Sequence, residues 1–444
     1  MKYSFMNEYL YLCLWVLGAS ALAMGAVSNT YAVQNEPAEA FPITLERAIK
    51  QTLANNPQLH EFDFKRQIVA GDAKTAELRP GYSLGVELEN FLGNSEVSGI
   101  TDAELTLTLS SVIELGDKVD ARKRITHAQR QQVIVQKKVR SLDILSEVMR
   151  RYIDVLAQQE TVSMVNDAEQ LARYTYQAVL TRVEAGASPQ LEIKRAQAAL
   201  AQTRLSVLTA NQSLQASINS LAIMWGDKTP AFTRVTGNLF SLTASPPLND
   251  LISALSMSPY IQEYAQQTRV QDAQLRLTQT GDKPNISWSA GIRRINGIDE
   301  SAFVAGASVP LFSQQRNLGQ YEAQKARLDQ IEQQKQASLR SLYHQVNQAL
   351  DARNRALLKV ETFQNDIIPP LQEALVMVEQ AYSDGRFSYL EWVSTRQDML
   401  QAQQALIQSA KNAHQRGADI EALTGQPILL RAQPAPFTTI FIEK

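Results

Sequence analysis

Cysteine is nearly absent from this sequence. Among 444 residues the single one is Cys13, inside an N-terminal apolar segment. The rest of the chain can therefore form neither thiolate metal sites nor disulfides. An excess of charge is also missing: 43 basic and 45 acidic residues give a net charge of −2, so no nucleic-acid partner is implied. Histidine is scarce, and His60, His127, His344 and His414 fall on separate stretches. Each reads as a helix-surface or packing residue rather than a metal ligand. No phosphate loop, no G-x-S-x-G and no H-E-x-x-H occurs, so neither a catalytic centre nor a cofactor or metal site is expected. Glycine and proline are missing altogether between Asp117 and Ala185. A helix of that length would reach roughly 100 Å at 1.5 Å per residue, far beyond globular practice.

The apolar run from Tyr9 to Val27, followed by Ser28-Asn-Thr-Tyr-Ala32, reads as an export signal over residues 1–32. A lipoprotein cut needs small residues before the cysteine, and Leu10-Tyr-Leu precedes Cys13 instead. The mature chain is thus expected to carry neither lipid nor cysteine.

Beyond the signal, the chain runs through one pattern twice. Helical periodicity runs from Thr44 to Leu78, passing through Pro57, until Arg79-Pro80-Gly81 stops it. The period then changes to two, as in strands, over 82–91 and 103–114 with a Gly/Ser/Asn-rich loop at 92–101. Gly116-Asp117 supplies a turn and helix cap before the long helix; a return helix extends from Pro189 to Trp225. Leu251, Leu255 and Pro259 then match Ile49, Leu53 and Pro57 at a constant offset of 202. The second half repeats the order, with strands at 285–294 and 302–312, a long helix capped by Ser313 and a last helix from Tyr389 to Leu423. Val360, Ile367, Leu371, Ala374, Val378 and Ala381 are spaced as a coiled-coil seam, and Pro369-Pro370 should bend that helix. The domain reading is a first repeat over 33–226, a linker over 227–247, a second repeat over 248–426 and a tail over 427–444.

The two copies converge at their turns. Arg182-Val-Glu-Ala-Gly-Ala-Ser-Pro-Gln-Leu-Glu192 echoes Tyr382-Ser-Asp-Gly-Arg-Phe-Ser-Tyr-Leu-Glu391. Gly186 and Gly385 suit the left-handed residue that ends a helix. Ser188 and Ser388 can cap the next one, with Pro189 at its first position in one copy and Ser388-x-x-Glu391 as a capping box in the other. Each copy is read as the turn of a helical hairpin.

Four strands of about ten residues have the right length to cross an outer membrane on a tilt. They cannot close a barrel alone, and an open edge in lipid leaves backbone groups unpaired. A spanning chain must therefore pool strands with its own copies. The alternative is a pair of soluble hairpins packed on helices. Export, and the placing of the long helices on one side of both strand pairs, favour the membrane.

The duplicated arrangement, the paired Gly/Ser turns and the terminal Leu-Thr-Gly425 resemble the TolC family of outer-membrane efflux channels from about Phe41 to Gln426. Two stretches, Ile113-Glu-Leu-Gly-Asp-Lys-Val-Asp-Ala-Arg122 and Ser308-Val-Pro-Leu-Phe-Ser-Gln-Gln-Arg-Asn-Leu-Gly319, are similar to the CzcC-like heavy-metal branch. They depart from its pattern at Asp117-Lys118-Val119 and in lacking a second proline. The resemblance implies a mostly α fold with β: duplicated coiled-coil hairpins and four transmembrane strands per chain. Three such chains would form a twelve-stranded β-barrel continuous with a periplasmic α-barrel. It also implies outer-membrane lipid around the barrel, a periplasmic adaptor docking on the helical tips and an inner-membrane pump of the RND class. The cargo implied is heavy-metal cations, with multidrug or small-organic export as the alternative. An adaptor protein would present one hairpin rather than two, and a poreless coiled-coil scaffold would not need the strand pairs.

Both hairpin tips and both chain ends are expected to be periplasmic, with loops 92–101 and 294–301 outside. Gly186, Ala187, Ser188, Gly385, Arg386, Phe387 and Ser388 are the candidate docking tips. Glu184 and Asp384 lie in last helical turns, where the macrodipole disfavours an acid. Glu192 and Glu391 each follow their glycine by six residues. In channels of the resembled family acids there line the closed periplasmic constriction, and Tyr382 matches a tyrosine of it. These five residues form a candidate acidic gate, with the capping box as the other use of Glu391.

Overall fold

The structure, a computed structural model, describes residues 42–91 and 103–425. The export signal, the 92–101 loop and the 427–444 tail lie outside the described residues. The first half comprises α1 (Leu45–Asn55), α2 (Pro57–Ala76), β1 (Ser83–Glu89), β2 (Glu104–Ile113), α3 (Lys118–Glu184) and α4 (Gln190–Ala222). The second comprises α5 (Leu248–Ser256), α6 (Pro259–Thr280), β3 (Ile286–Ile295), β4 (Glu300–Ser308), α7 (Ser313–Thr362), α8 (Ile368–Ser383) and α9 (Tyr389–Thr424). Thus α3 alone is an uninterrupted helix of 67 residues.

Proline decides where several expected boundaries move. Pro57 does not ride inside one helix. Asn56 turns the chain, its side-chain oxygen accepts from Gln58 N at 3.0 Å, and Pro57 opens α2, where its missing N–H costs nothing. Pro259 opens α6 in the same way. At Pro369-Pro370 the expected bend takes a specific form: a π-helical turn over Phe363–Ile367, after which both prolines lie in the first turn of α8. Pro310 cannot donate to the ladder, so β4 ends at Ser308 rather than 312. Of two expected caps, one is displaced and one keeps its place without its side-chain bond. Ser313 is the first residue of α7, and Phe312 occupies the cap in a left-handed conformation (φ 60°). Asp117 sits at the cap of α3, also left-handed, without a side-chain cap bond.

The four strands form one antiparallel sheet in the order β1-β2-β3-β4. Its register sorts side chains by face. Leu84, Val86 and Leu88 stand opposite Leu109, Leu107 and Leu105, and these continue across to Ala290, Ile292 and Arg294. Phe303, 90% exposed, faces Ile292 on the same side. The opposite face carries Ser83, Gly85, Glu87, Thr106, Thr108, Ser110, Ser289, Gly291 and Arg293. Period-two alternation has thus produced a sheet with one apolar and one polar face. Within the described residues, β1 and β4 each leave an outer edge unpaired. None of the described helices is long and apolar enough to cross a membrane.

The largest core lies midway along α3, where Ile144, Val148, Tyr152, Val155 and Leu156 pack on α1 and on the connection between the halves. That connection has almost no regular structure, so its backbone groups need side-chain partners. Gln159 holds Val235 through both amide atoms (2.7 and 3.2 Å), and the buried Tyr152 hydroxyl reaches the carbonyls of Ile43 (3.0 Å) and Thr236. Arg353, wholly buried on α7, donates to Ser245 Oγ at 2.7 Å and to the Thr243 carbonyl at 2.8 Å. Of the histidines, His60, His127 and His344 are exposed, whereas His414 is half-buried on α9 and bonded to the Leu239 carbonyl at 2.9 Å. Burial holds the His414 pKa below its ordinary value. Removing the Tyr152 hydroxyl takes away its hydrogen bond to the strap, while the Ile43 carbonyl keeps the Thr236 N–H at 3.1 Å, so Tyr152→Phe should destabilise the fold by about 0.5–1.5 kcal/mol. Thermal unfolding of the purified variant checks this; an unchanged midpoint would show that the Tyr152 hydroxyl adds nothing to holding the strap.

Candidate functional site

Helix lengths bring the two hairpin turns side by side. Gly186 (φ 73°) ends α3 and Gly385 (φ 79°) ends α8, both in the left-handed conformation expected of them. The turns differ in how the next helix starts. Ser388 caps α9 in a full capping box: Glu391 N donates to Ser388 Oγ (3.3 Å) and Ser388 N donates to Glu391 Oε2 (2.7 Å). Ser188 does not cap α4. Pro189 takes the cap position, and Ser188 Oγ instead accepts from Arg182 Nε at 3.3 Å.

Arg182 is the residue that sequence reasoning did not single out. From the last turn of α3 it donates to the Tyr382 carbonyl and, at 3.2 Å, to the Ser383 carbonyl, both at the end of α8. Its guanidinium also lies 4.8 Å from the Tyr382 ring centroid and 3.4 Å from the Ala187 carbonyl. The last carbonyls of a helix lack intrahelical partners and carry the negative end of its dipole, which is why a guanidinium fits there. A single side chain therefore ties one turn to the other. A basic residue in a last helical turn was the available signal, but its acceptors are backbone groups 200 residues away. Gly385 is demanded by its φ of 79° rather than by space, since a Cβ there would meet Arg182 Nη2 at 3.4 Å, an ordinary contact.

The expected gate residues divide into two groups. Tyr382 is 2% exposed and donates its hydroxyl to Glu192 Oε2 at 3.0 Å. Burial first, and the Glu192 carboxylate next, push its pKa up to about 12. Around it pack Tyr389, Trp392, Val378, Val179 and Ala196. The other acids stay at the surface. Glu184 is exposed, Asp384 is exposed and paired with Arg386 at 2.7 Å, and Glu391 is exposed within its capping box. Of the docking candidates, Ala187, Gly385, Arg386, Phe387 and Ser388 are exposed and Ser188 is half-buried. On the sheet's polar face a second cluster appears: Arg293 bonds Glu89 (2.9 Å), Glu104 (2.9 Å) and Thr106 (3.0 Å). Strand register, which the sequence does not state, is what assembles it.

Twin helical hairpins carried on a two-faced sheet with open edges define the fold of an outer-membrane channel. The chain belongs to the outer membrane efflux protein family, whose profile matches residues 48–227 and 251–426, and so resides in the outer membrane with a periplasmic part. It is similar to the cobalt-zinc-cadmium resistance protein CzcC of Cupriavidus metallidurans, 24% identical over 87% of this chain and 91% of that protein. It is also similar to the nickel and cobalt resistance protein CnrC of the same organism, 26% identical over 72% of this chain and 76% of the relative. Among solved structures, one of CusC, described by its folding and transmembrane channel formation, covers 86% of this chain and 92% of its own, with a TM-score of 0.70 at 19% identity.

The capping box makes the start of α9 sensitive to pH. Hydrogen bonds from Ser388, backbone first and hydroxyl second, hold the Glu391 carboxyl below its ordinary range. A depressed carboxyl contributes stability above the unfolded pKa and loses it as pH falls through the lower folded value. Hydrogen exchange, corrected for intrinsic rates, should show constant protection of the Ser388 and Glu391 amides above about pH 5 and progressive loss below it. In Glu391→Gln this dependence should vanish; its persistence would assign it to another group.

Proposed function

We propose that this chain is the exit duct of a tripartite efflux system, passing heavy-metal cations from an inner-membrane RND pump and a periplasmic adaptor to the outside. The observation that carries the reading is the sheet, with its apolar face, polar face and two open edges. Three copies pairing β1 of one with β4 of the next would close twelve strands, satisfy both edges and turn the apolar face to lipid. The polar face, with its Arg293 cluster, would then line the lumen. Below it the long helices would assemble as the periplasmic tunnel. Passive conduction through such a duct needs no catalytic group, and transport energy enters at the pump. The names of the relatives, with their cobalt, zinc, cadmium and nickel, support metal cations over organic cargo.

In this reading the tips, Gly186 to Ser188 and Gly385 to Ser388, are where the adaptor docks. Glu192, Glu391, Tyr382, Glu184 and Asp384 surround the periplasmic mouth as its gate. Three copies of Glu192 and Glu391 supply six carboxylates there, and rings of acids favour cations. The Glu192–Tyr382 bond and the Arg182 bridge hold the mouth closed, because both join the first hairpin to the second.

Two measurements test the proposal. A deletion strain should lose tolerance to cobalt, zinc, cadmium or nickel, and unchanged tolerance to all of them would overturn the cargo. In planar bilayers the purified protein should conduct cations selectively and be blocked by multivalent cations from the periplasmic side. Glu192→Gln with Glu391→Gln should weaken both properties; identical selectivity and block in the double variant would remove the gate role.

A further inference from the structure

Among the described residues two arginines are buried in the helical core, each with its Nε–H lacking an acceptor, and they differ in what else they meet. Arg353 has Ser245, Thr243 and the charge of Glu421. Arg396, on α9, is 8% exposed, and no ion pair to it is found among the described residues. Its Nε–H is buried without an acceptor. One turn earlier, Trp392 is 1% exposed and buries its indole N–H, also without an acceptor. Residues i and i+4 share a face of a helix. Two donors, one of them charged, thus reach the same interior with nothing to receive them.

Tyr389 is the group whose charge acts on Arg396, yet neither buried N–H, Arg396 Nε or Trp392 Nε1, has an acceptor. Tyr382 and Tyr174 lie against Trp392, with ring centroids 5.1 and 6.3 Å from it, and Tyr389, Val378, Val179 and Ala196 belong to the same cluster. Arg396, Glu192 and Arg195 all act on Tyr389, and Arg182 lies over Tyr382. The acid of this cluster is Glu192, whose carboxylate takes the Tyr382 hydroxyl. Glu379 on α8 is turned to Tyr174. Guanidinium groups therefore outnumber carboxylates around the buried aromatic cluster. An isolated cation in an apolar interior is unfavourable unless an opposite charge accompanies it, and unsatisfied buried donors call for an acceptor.

We propose that Trp392 and Arg396 form a binding site for one compact inorganic anion of the halide class. The anion accepts from the indole N–H and the guanidinium between α9 and the hairpins it packs against. It balances the arginine, and it fixes α9 one to two turns above the tip. Its place in the aromatic cluster of Tyr382 makes closure of the two hairpins depend on anion occupancy. The site itself does not rest on the conduction reading, because its readout is stability.

The test uses the full-length protein purified in detergent, with Trp225→Phe and Trp288→Phe so that Trp392 reports alone among the described tryptophans. Melting is compared in sodium chloride and sodium gluconate at equal ionic strength. Chloride should raise the midpoint saturably, on the order of 2–4 °C. Bromide should quench Trp392 emission along the same saturation curve. Arg396→Gln keeps the length of the side chain without its charge, and it should abolish both the chloride shift and the saturable quenching. If that variant fails to fold, Trp392→Phe keeps the ring and loses the donor; its chloride affinity should fall roughly five-fold. Equal midpoints in the two salts would overturn the site in favour of buried water. So would a chloride shift that survives in Arg396→Gln.

Discussion

An open β-sheet edge cannot be left in hydrocarbon, and the architecture of this chain answers to that constraint. Each unpaired N–H and C=O in lipid costs several kcal/mol, and β1 and β4 each present a row of them. The sheet's twofold alternation gives it a face that suits lipid, yet a sheet of four strands has no closed form. In the proposed assembly, closure comes from other copies. The antiparallel order permits it, because β4 of one copy runs opposite to β1 of the next. The sheet's attachments then govern everything below it: α2, α3, α6 and α7 begin or end at the strands, so their lengths set how far the hairpin turns lie from the membrane.

A second constraint acts at the far end. Helices as long as α3 cannot be positioned at their tips by contacts near the sheet, since small angular errors grow along roughly 100 Å of helix. The structure places its cross-ties there. Arg182 joins α3 to the last carbonyls of α8, and Tyr382 joins α8 to Glu192 on α4. Both ties use groups that a helix end leaves available or that the aromatic cluster buries. They are local, polar and few, so they can be exchanged without disturbing the cores higher up, where Tyr152, Gln159 and Arg353 hold the connecting strap. Rigid middle and exchangeable tip belong to the same chemistry, applied at different burial.

Legibility in the sequence tracks the range of the physics. Gly186 and Gly385 announced the turns because few other residues tolerate a positive φ. Leu84, Val86 and Leu88, with Leu105, Leu107 and Leu109, announced strands because a period of two needs no tertiary knowledge. The break at Asn56 was missed because Pro57 suits the first helical turn as well as a tolerated interior place, and only the Asn56 contacts choose between them. Ser188 looked like a cap from spacing alone, yet the nearer demand of Arg182 claims its oxygen. Arg182 and Arg293 were the least legible. Their partners lie on other elements, and neither a backbone carbonyl nor a strand register leaves a trace in residue types.

Closure between copies is the point on which the membrane reading turns, and cysteine cross-linking reads it directly. The single native cysteine, Cys13, lies in the stretch read as an export signal, and a Cys13→Ser background removes it. Val86→Cys on the apolar face of β1 is combined in turn with cysteine at Phe303, Ala305 and Ala307 on the same face of β4. Oxidation in outer membranes should give a covalent ladder that stops at three chains for the combination in register. Absence of any inter-chain product at every combination, with the protein a single copy by native mass spectrometry, would contradict a shared barrel.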